Sequence, residues 1–237
     1  MIVPELSERV RAIRERIARA CEKSARDPSC VRLIAVTKTH GADTVRTAVA
    51  AGLTEFGENR VQEGSEKIKA LRPDFPDLSW VLIGRLQTNK VKTALKYFRE
   101  IQSVDRASLL EKIAREATAQ GAVIPILLEV NIGGQESKGG VDPDGCDALL
   151  GKALAEPSLR VRGLMSVPPP REDPEDARPS FRELRELRDR LQERHAFALP
   201  ELSMGMSHDF EVAVEEGATQ VRIGTALFGE RGDGARP

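Results

Sequence analysis

The sequence is poor in several features that would point to particular classes of function. Its 237 residues contain no apolar run near the roughly 18 residues of a membrane-spanning helix. The N-terminus alternates charged and apolar residues and has no signal-peptide core. Lysine and arginine (36) nearly balance aspartate and glutamate (37), so no extended basic surface for nucleic acid is indicated. We expect a cytoplasmic protein that binds neither membranes nor nucleic acid.

Cysteine is also scarce. The three cysteines, Cys21, Cys30 and Cys146, are odd in number and widely spaced, and they lack a CxxC pair or a nearby His-x-Glu motif. Neither a disulfide framework nor a metal site of the zinc type is therefore expected. We interpret all three cysteines as small buried hydrophobic residues.

The sequence does contain a repeated alternation of short apolar runs with helical patterns. Eight runs are candidate strands: LIAVTK (33–38), EFGEN (55–59), WVLIG (80–84), EIQSVD (100–105), PILLEVN (125–131), VRGLMSV (161–167), ELSMGMS (201–207) and TQVRIGT (219–225). Strands that alternate with helices form a parallel sheet, and eight such units close into a barrel. This predicts a single α/β barrel of the (β/α)8 type over residues 1–229, followed by a disordered tail over 230–237. An open doubly wound sheet is the alternative.

An additional helix is predicted before the first strand. Apolar residues recur there at helical spacing, between arginines and glutamates, at Leu6, Val10, Ile13, Ile17 and Ala20. We expect this N-terminal helix to pack on the outside of the barrel.

Capping residues predict where several other helices begin and end. Asp43 is expected to cap a helix that Gly52 ends. Gly121 and Gly217 follow helical patterns in the way that glycine follows a helix in the left-handed conformation.

The region after the sixth strand combines a loop with a helix. The segment PPPREDPEDARP (168–179) is rich in proline, which predicts a stiff, solvated connection on the C-terminal face of the barrel. Ser180 and Glu183 then form a capping-box pattern that opens a helix. One stripe of this helix is apolar, with Leu184, Leu187 and Leu191.

Small and hydroxyl residues at the ends of the last two strands predict a phosphate site. The seventh strand places the hydroxyls of Ser203 and Ser207 at its end. The eighth ends in RIGT, where Gly224 lets backbone amides approach an anion and Thr225 adds a hydroxyl. In α/β barrels, phosphate is commonly bound by the loops that follow these two strands. An ordinary glycine turn is the alternative for RIGT taken alone.

Two basic residues extend this site. Alternation along the eighth strand turns Arg222 into the barrel mouth if Val221 and Ile223 face the helices. Lys38 ends the first strand, which neighbours the eighth strand in a closed barrel. A lysine for the aldehyde, backbone amides for the phosphate and a charged side chain for the ring nitrogen are what pyridoxal 5′-phosphate requires. We predict that Lys38 carries this cofactor as a Schiff base, with a lysine that merely extends into solvent as the alternative.

Other polar residues lie on the same rim. We expect Asn59 to hydrogen-bond the oxygen of the cofactor ring and Glu58 to pair with Arg60 or another base. His40 and His208 are within reach of the site, although loop histidines are more often uninvolved. Four further residues are expected to be structural or solvated: Gln87, Asn89, Lys90 and Lys138.

Seven motifs occur in order over nearly the whole chain: AVTKTH (35–40), FGENRVQE (56–63), WVLIGRLQTNK (80–90), ESKGG (136–140), GLMSV (163–167), LSMGMSHDF (202–210) and VRIGTALFG (221–229). With these motifs the chain resembles the pyridoxal phosphate homeostasis proteins, the YggS/PROSC family. The resemblance implies a fold-type III barrel, similar to the N-terminal domain of alanine racemase, with the cofactor on Lys38. It also implies a role in vitamin B6 homeostasis, in which the protein buffers the cofactor and delivers it to apoenzymes.

The resemblance further implies roles for individual residues. Asn59 would lie beside the cofactor, and Arg222 would face the pyridine nitrogen. Ser207, Gly224 and Thr225 would bind the phosphate, and no residue is assigned to catalysis or to a metal.

The chain departs from the family pattern at Val81, where many members have histidine. Because Val81 lies within the strand and not at its end, we expect it to alter packing in the barrel and to leave cofactor binding unchanged.

Two functions remain open: a monomeric cofactor carrier, and an amino-acid racemase or related enzyme. Alanine racemase adds a β domain and a tyrosine from its partner subunit, and we expect this chain to lack room for that domain. The only tyrosine, Tyr97, is expected at the opposite face of the barrel, so racemisation would lack its second base. This favours the carrier. A cofactor-free Schiff-base aldolase is less favoured, because it does not explain the combination of Ser207, Arg222 and Gly224.

Overall fold

The computed structural model describes residues 2–134 and 139–229. Eight parallel strands close into a barrel in which spatial order follows chain order. The strands are β1 (Arg32–Val36), β2 (Glu55–Glu58), β3 (Ser79–Leu82), β4 (Glu100–Val104), β5 (Ile124–Glu129), β6 (Leu159–Met165), β7 (Glu201–Met206) and β8 (Gln220–Ile223). Pairing of β8 with β1 completes the ring, with Leu33 opposite Val221. The predicted α/β barrel is confirmed, and the open sheet is wrong.

A helix follows each strand, and the predicted additional helix comes before the first. The helices are α1 (Val3–Lys23), α2 (Ala42–Ala50), α3 (Val61–Leu71), α4 (Val91–Tyr97), α5 (Ala107–Ala119), α6 (Pro143–Leu154), α7 (Arg178–His195), α8 (Phe210–Glu215) and α9 (Thr225–Phe228). The apolar stripe of α1 is buried on the outside of the barrel, as expected. In the part of the chain that the structure describes, no helix has the length and apolar character that crossing a membrane requires.

Strand residues alternate between two buried environments, as the pleat of a β-strand requires. In β3, Trp80 and Leu82 belong to the hydrophobic layer between strands and helices. Val81, between them, is fully buried but turned to the inner face of the barrel. The departure from the family pattern at Val81 therefore lies in the barrel interior.

The barrel interior is polar at the N-terminal ends of the strands. Arg32, at the start of β1, lies 3.0 Å from a Glu55 oxygen, 3.5 Å from Glu100 and 3.7 Å from Glu201. Arg162 adds a second cation, 2.9 Å from Glu201. These mutual ion pairs offset part of the cost of burying the charges at the N-terminal ends of the strands.

The glycine ends of the helices are confirmed, but the predicted cap at Asp43 is wrong. Gly52, Gly121 and Gly217 have φ angles of 83°, 62° and 106°, in the left-handed region that favours glycine. Helix α2 already begins at Ala42, so Asp43 lies inside the first turn and its side chain caps nothing.

The predicted capping box of Ser180 and Glu183 is also wrong. A 3-10 turn over Pro174–Ala177 leads directly into α7, so this helix begins two residues before Ser180 and has no side-chain cap. Asp173 caps the 3-10 turn instead, accepting a hydrogen bond of 2.9 Å from the Glu175 N–H. The apolar stripe of α7 is confirmed as buried.

The interpretation of the cysteines holds for two of the three. Cys21 and Cys146 are buried, whereas Cys30 is exposed. Cys30 ends a 3-10 turn over Pro28–Cys30 at the surface, where its sulfur accepts a hydrogen bond from Arg26. The turn takes Cys30 away from the apolar layer that buries the other two.

We expect Leu184→Ala to destabilise the barrel by about 2–5 kcal/mol, because Leu184 is fully buried between α7 and the strands. Glu183→Ala, at the exposed neighbouring position, is the control and should change stability by no more than about 0.5 kcal/mol. Urea unfolding followed by circular dichroism measures both variants. Equal stabilities for the two would contradict this account of the core.

Candidate functional site

A pocket of about 360 Å³ opens at the C-terminal face of the barrel. This volume lies within the roughly 300–1,000 Å³ typical of sites for small molecules. The six residues that the sequence predicts for cofactor binding all line it: Lys38, Asn59, Ser207, Arg222, Gly224 and Thr225. They come together because the ends of β1 and β2 meet those of β7 and β8 at one rim. Their roles toward a ligand remain predictions.

The predicted phosphate cradle is formed by Ser207 and the start of α9. The Ser207 Oγ accepts hydrogen bonds from the backbone N–H groups of Gly224 and Ala226, each at 3.2 Å. The hydroxyl proton of Ser207 is left to donate to an incoming anion. Ser203, which was expected beside Ser207, is instead buried below the pocket, where its Oγ donates to Gln102 at 2.6 Å.

Arg222 is a buried cation at the floor of the pocket. Its guanidinium donates to the Ser203 Oγ at 2.6 Å and to the Ser166 carbonyl at 2.7 Å, and both of these acceptors are neutral. No carboxylate among the described residues forms an ion pair with it. Burial lowers its pKa to about 10, so it stays charged at neutral pH. The charges of Asp209 and Glu129 oppose this lowering, but neither carboxylate forms an ion pair with the guanidinium, so an acceptor on a ligand would offset part of the cost of burial.

The inward direction of Arg222 was predicted correctly. Val221 and Ile223 belong to the hydrophobic layer under the helices, which turns Arg222 to the inside of the barrel. The hydroxyl of Ser166 lies near this floor and is buried without a hydrogen-bond partner. It is a further polar group that the sequence did not single out.

Asn59 is held at the rim by close packing against Gly84. A Cβ atom on Gly84 would lie only 2.2 Å from the carbonyl oxygen of Asn59. Only glycine permits this approach, so residue 84 fixes where the Asn59 backbone lies. Gly84 lies in the motif WVLIGRLQTNK, but the sequence alone does not predict its contact with Asn59, because that contact depends on the register of the barrel strands.

Glu58 turns away from the pocket, although it precedes Asn59 in the chain. It is fully buried between β2 and α3, where its carboxylate lies 2.5 Å from the Nζ of Lys67. A pairing with a base was expected, and the base is Lys67 and not Arg60. The sequence feature that could have identified Lys67 is its position on the buried face of α3, one turn before Leu71.

Both histidines considered at the sequence level line the pocket. His40 contacts the ring of Phe228, with centroids 5.2 Å apart. Burial lowers the pKa of His40, and the positive charge of Lys67 adds to this effect. The Nε2 of His208 is 2.9 Å from the carbonyl oxygen of Glu172, so the proline-rich segment touches the rim of the site.

The remaining candidates lie elsewhere. Gln87, Asn89 and Lys90 line a neighbouring cleft that shares Asn59 with the pocket. Lys138 lies outside the described residues. Tyr97 ends α4, before β4 begins, and the cations of Lys69, Arg72 and Lys96 surround its ring, so it is not among the pocket residues.

Glu129, the last residue of β5, is a titratable group that the sequence did not single out. Burial raises its pKa to about 7, and the charge of Asp105 adds to the rise, whereas Arg222 and Arg85 oppose it. A Cβ atom on Gly139 would lie 3.4 Å from its carboxylate, so the backbone of Gly139 packs against it. This carboxyl therefore titrates near neutral pH, within the electrostatic reach of Arg222.

We expect Glu129→Gln to change how stability depends on pH. The folded pKa of about 7 lies above the ordinary value of 4.5, so the folded state binds more protons than the unfolded state between these values. Stability of the wild type should therefore fall by about 1–3 kcal/mol as pH rises through this window, and the variant should lack this fall. Urea unfolding across the window tests this, with exposed Glu183→Gln as the control. Equal slopes for wild type and Glu129→Gln would contradict it.

Comparison with known proteins places this chain in a family. Residues 9–232 match the family described as alanine racemase, N-terminal domain. A pyridoxal phosphate homeostasis protein of Aquifex aeolicus is 51% identical over 224 residues, which cover 94% of this chain and 97% of that protein. The solved structure of PipY from Synechococcus elongatus, with PLP bound, is 38% identical and has a TM-score of 0.84. The similarity covers 94% of this chain and 100% of that one.

A more distant structure shares the fold alone. Alanine racemase from Streptomyces coelicolor is 22% identical with a TM-score of 0.67, and the similarity covers 92% of this chain and 58% of that one. The predicted resemblance is thus confirmed, and the chain belongs to the pyridoxal phosphate homeostasis protein family.

Proposed function

We propose that this protein binds pyridoxal 5′-phosphate as a Schiff base on Lys38 and takes part in cofactor homeostasis by buffering it and delivering it to apoenzymes. The observation that carries the proposal is one pocket that joins Lys38, an anion cradle at Ser207 and the buried charge of Arg222. The names of the relatives and the PLP bound to PipY support the same function. The expected monomeric state and cytoplasmic location are part of this proposal.

Each polar group of the cofactor has a matching group in the pocket. Ser207, Gly224 and Thr225 would bind the phosphate, because the Ser207 hydroxyl keeps a proton to donate and is held at the start of α9 by two backbone amides. Arg222 would face the pyridine nitrogen and Asn59 the ring oxygen. When bound, the cofactor supplies an aldehyde that condenses with primary amines. A guanidinium keeps its proton, so the pyridine nitrogen stays largely unprotonated and the ring is a weaker electron sink.

Lys38→Ala should abolish the yellow colour expected of the wild-type protein, because the variant lacks the amine that forms the Schiff base. Visible absorbance before and after addition of pyridoxal 5′-phosphate measures this. Lys152→Ala, at an exposed position on α6, is the control and should keep the colour. A colourless wild type that also fails to bind added cofactor would rule out the proposed function.

An amino-acid racemase is the second candidate, favoured by the two histidines in the pocket. Both line the pocket, and imidazoles are side chains that can exchange protons, so either histidine would be the base that this candidate needs. The weak electron sink and the placement of Tyr97 outside the pocket favour a carrier.

A panel of amino acids distinguishes the two candidates. We expect the cofactor-loaded protein to show no racemisation, decarboxylation or transamination at ordinary enzymatic rates. Transfer of cofactor to an apoenzyme should be faster than its free release into solution. Turnover of any substrate at rates near the typical ~10 per second would replace the carrier with the enzyme.

A further inference from the structure

Behind the wall of the pocket lies a buried pair of charges. The Nζ of Lys67, on α3, is 2.5 Å from the Glu58 carboxylate, and the two side chains are 5% and 0% exposed. One carboxylate oxygen of Glu58, Oε2, is buried without a hydrogen-bond partner. Burial raises the pKa of Glu58, which shows that the site is poorly suited to its charge. Neutral residues of similar volume are often at least as stable in such places.

The pair contacts the residue that precedes Lys38. Lys67 donates a hydrogen bond of 2.8 Å to the carbonyl oxygen of Thr37, and the Thr37 hydroxyl donates to Glu58 at 2.6 Å. The same carbonyl oxygen accepts the His40 N–H at 3.0 Å, which closes a turn over residues 37–40. Lys38 is carried on this turn, beyond the end of β1. Charge-assisted hydrogen bonds such as that from Lys67 are stronger than those between neutral groups.

A second carboxylate holds the residue that follows Lys38. The Thr39 N–H donates to Glu63 at 2.6 Å, and Glu63 also lies 3.6 Å from the Nζ of Lys67. Thr39 has a φ of 68°, in the left-handed region, which is unfavourable for a β-branched residue. Such a conformation persists only where the surroundings hold it. Lys67 thus lies at the centre of contacts that restrain both neighbours of Lys38.

We propose that Lys67, with Glu58 and Glu63, is a positioning residue that holds the 37–40 turn so that the Lys38 amine meets the cofactor aldehyde. This inference rests on the proposed function. Condensation of the amine with the aldehyde forms a C=N bond and releases one water molecule. The reaction requires the nitrogen to approach the carbonyl carbon in a defined direction, so displacement of the turn slows it. The hydrogen bonds of the phosphate cradle join Ser207 to the start of α9 and include no residue of the 37–40 turn.

Two probes separate positioning from general damage. Pyridoxal 5′-phosphate needs both the amine and the cradle, whereas pyridoxine 5′-phosphate lacks the aldehyde and tests the cradle alone. For Lys67→Met we expect condensation with pyridoxal 5′-phosphate to slow by about tenfold or more. Its affinity for pyridoxine 5′-phosphate should stay within about twofold of the wild-type value, because the donors of the cradle are unchanged.

A double variant distinguishes a loss of positioning from a loss of stability. Lys67→Met alone leaves Glu58 buried without its cation, which is destabilising. Glu58→Gln combined with Lys67→Met removes both charges and keeps an acceptor for the Thr37 hydroxyl. We expect the double variant to recover stability but not the rate of condensation, since the bond from Lys67 to the Thr37 carbonyl is still missing. Recovery of both together would show that Lys67 acts only on stability and would overturn the positioning role.

A matched control is Lys112→Met, which breaks a 2.5 Å ion pair with Glu116 on α5. This variant should condense with the cofactor at the wild-type rate. If Lys67→Met and the double variant also condense at that rate, the positioning proposal is wrong while the proposed function stands. If the wild type itself binds pyridoxine 5′-phosphate but never condenses with pyridoxal 5′-phosphate, both proposals fall.

Discussion

The hydrogen-bonded pairing of β8 with β1 is the constraint on which the pocket depends. In that register Ala35 lies opposite Ile223, so the chain beyond β1 and the chain beyond β8 emerge at the same point of the rim. Lys38 and Gly224 meet there, although they belong to opposite ends of the sequence. In an open sheet with the same strand order, β1 and β8 would be the two outer edges. Closure of the barrel therefore creates the site as well as the fold.

The charge of Arg222 is connected to the rest of the barrel interior. Arg222 donates to Ser203, Ser203 donates to Gln102, and the amide of Gln102 donates to Gln220 and to Glu100. The inward-facing positions of three strands thus carry polar residues that satisfy one another. Most buried polar groups in proteins are paired in this way. Arg222 is the member of this network that reaches the pocket.

The pocket combines rigid strands with turns that need separate support. Arg222 lies within a strand and is fixed by the barrel itself. Lys38 lies beyond the end of its strand. Charged side chains from β2 and α3 hold the turn that carries it, which accounts for Glu58 and Lys67 in a place that would otherwise suit apolar residues.

The sequence by itself determined the barrel and the main groups of the pocket. Alternation of apolar runs with helical patterns identified all eight strands, and period-two alternation turned Arg222 inward, because both signals are local. Strand ends then located Lys38, Asn59 and Ser207 at one face, since parallel strands all end there. The alternating pattern is set by backbone geometry, which does not depend on distant partners.

Only the tertiary structure decided how side chains pair. Ser203 lies below Arg222 and not beside Ser207, since it pairs with Gln220 at the start of β8, four residues before Ser207. Glu58 pairs with Lys67 because α3 packs its buried face onto β2. The predicted cap at Ser180 is wrong for a similar reason. A 3-10 turn leads directly into α7, so the helix begins before Ser180. In each case the position of the side chain depends on which elements pack together, and the local sequence does not specify that packing.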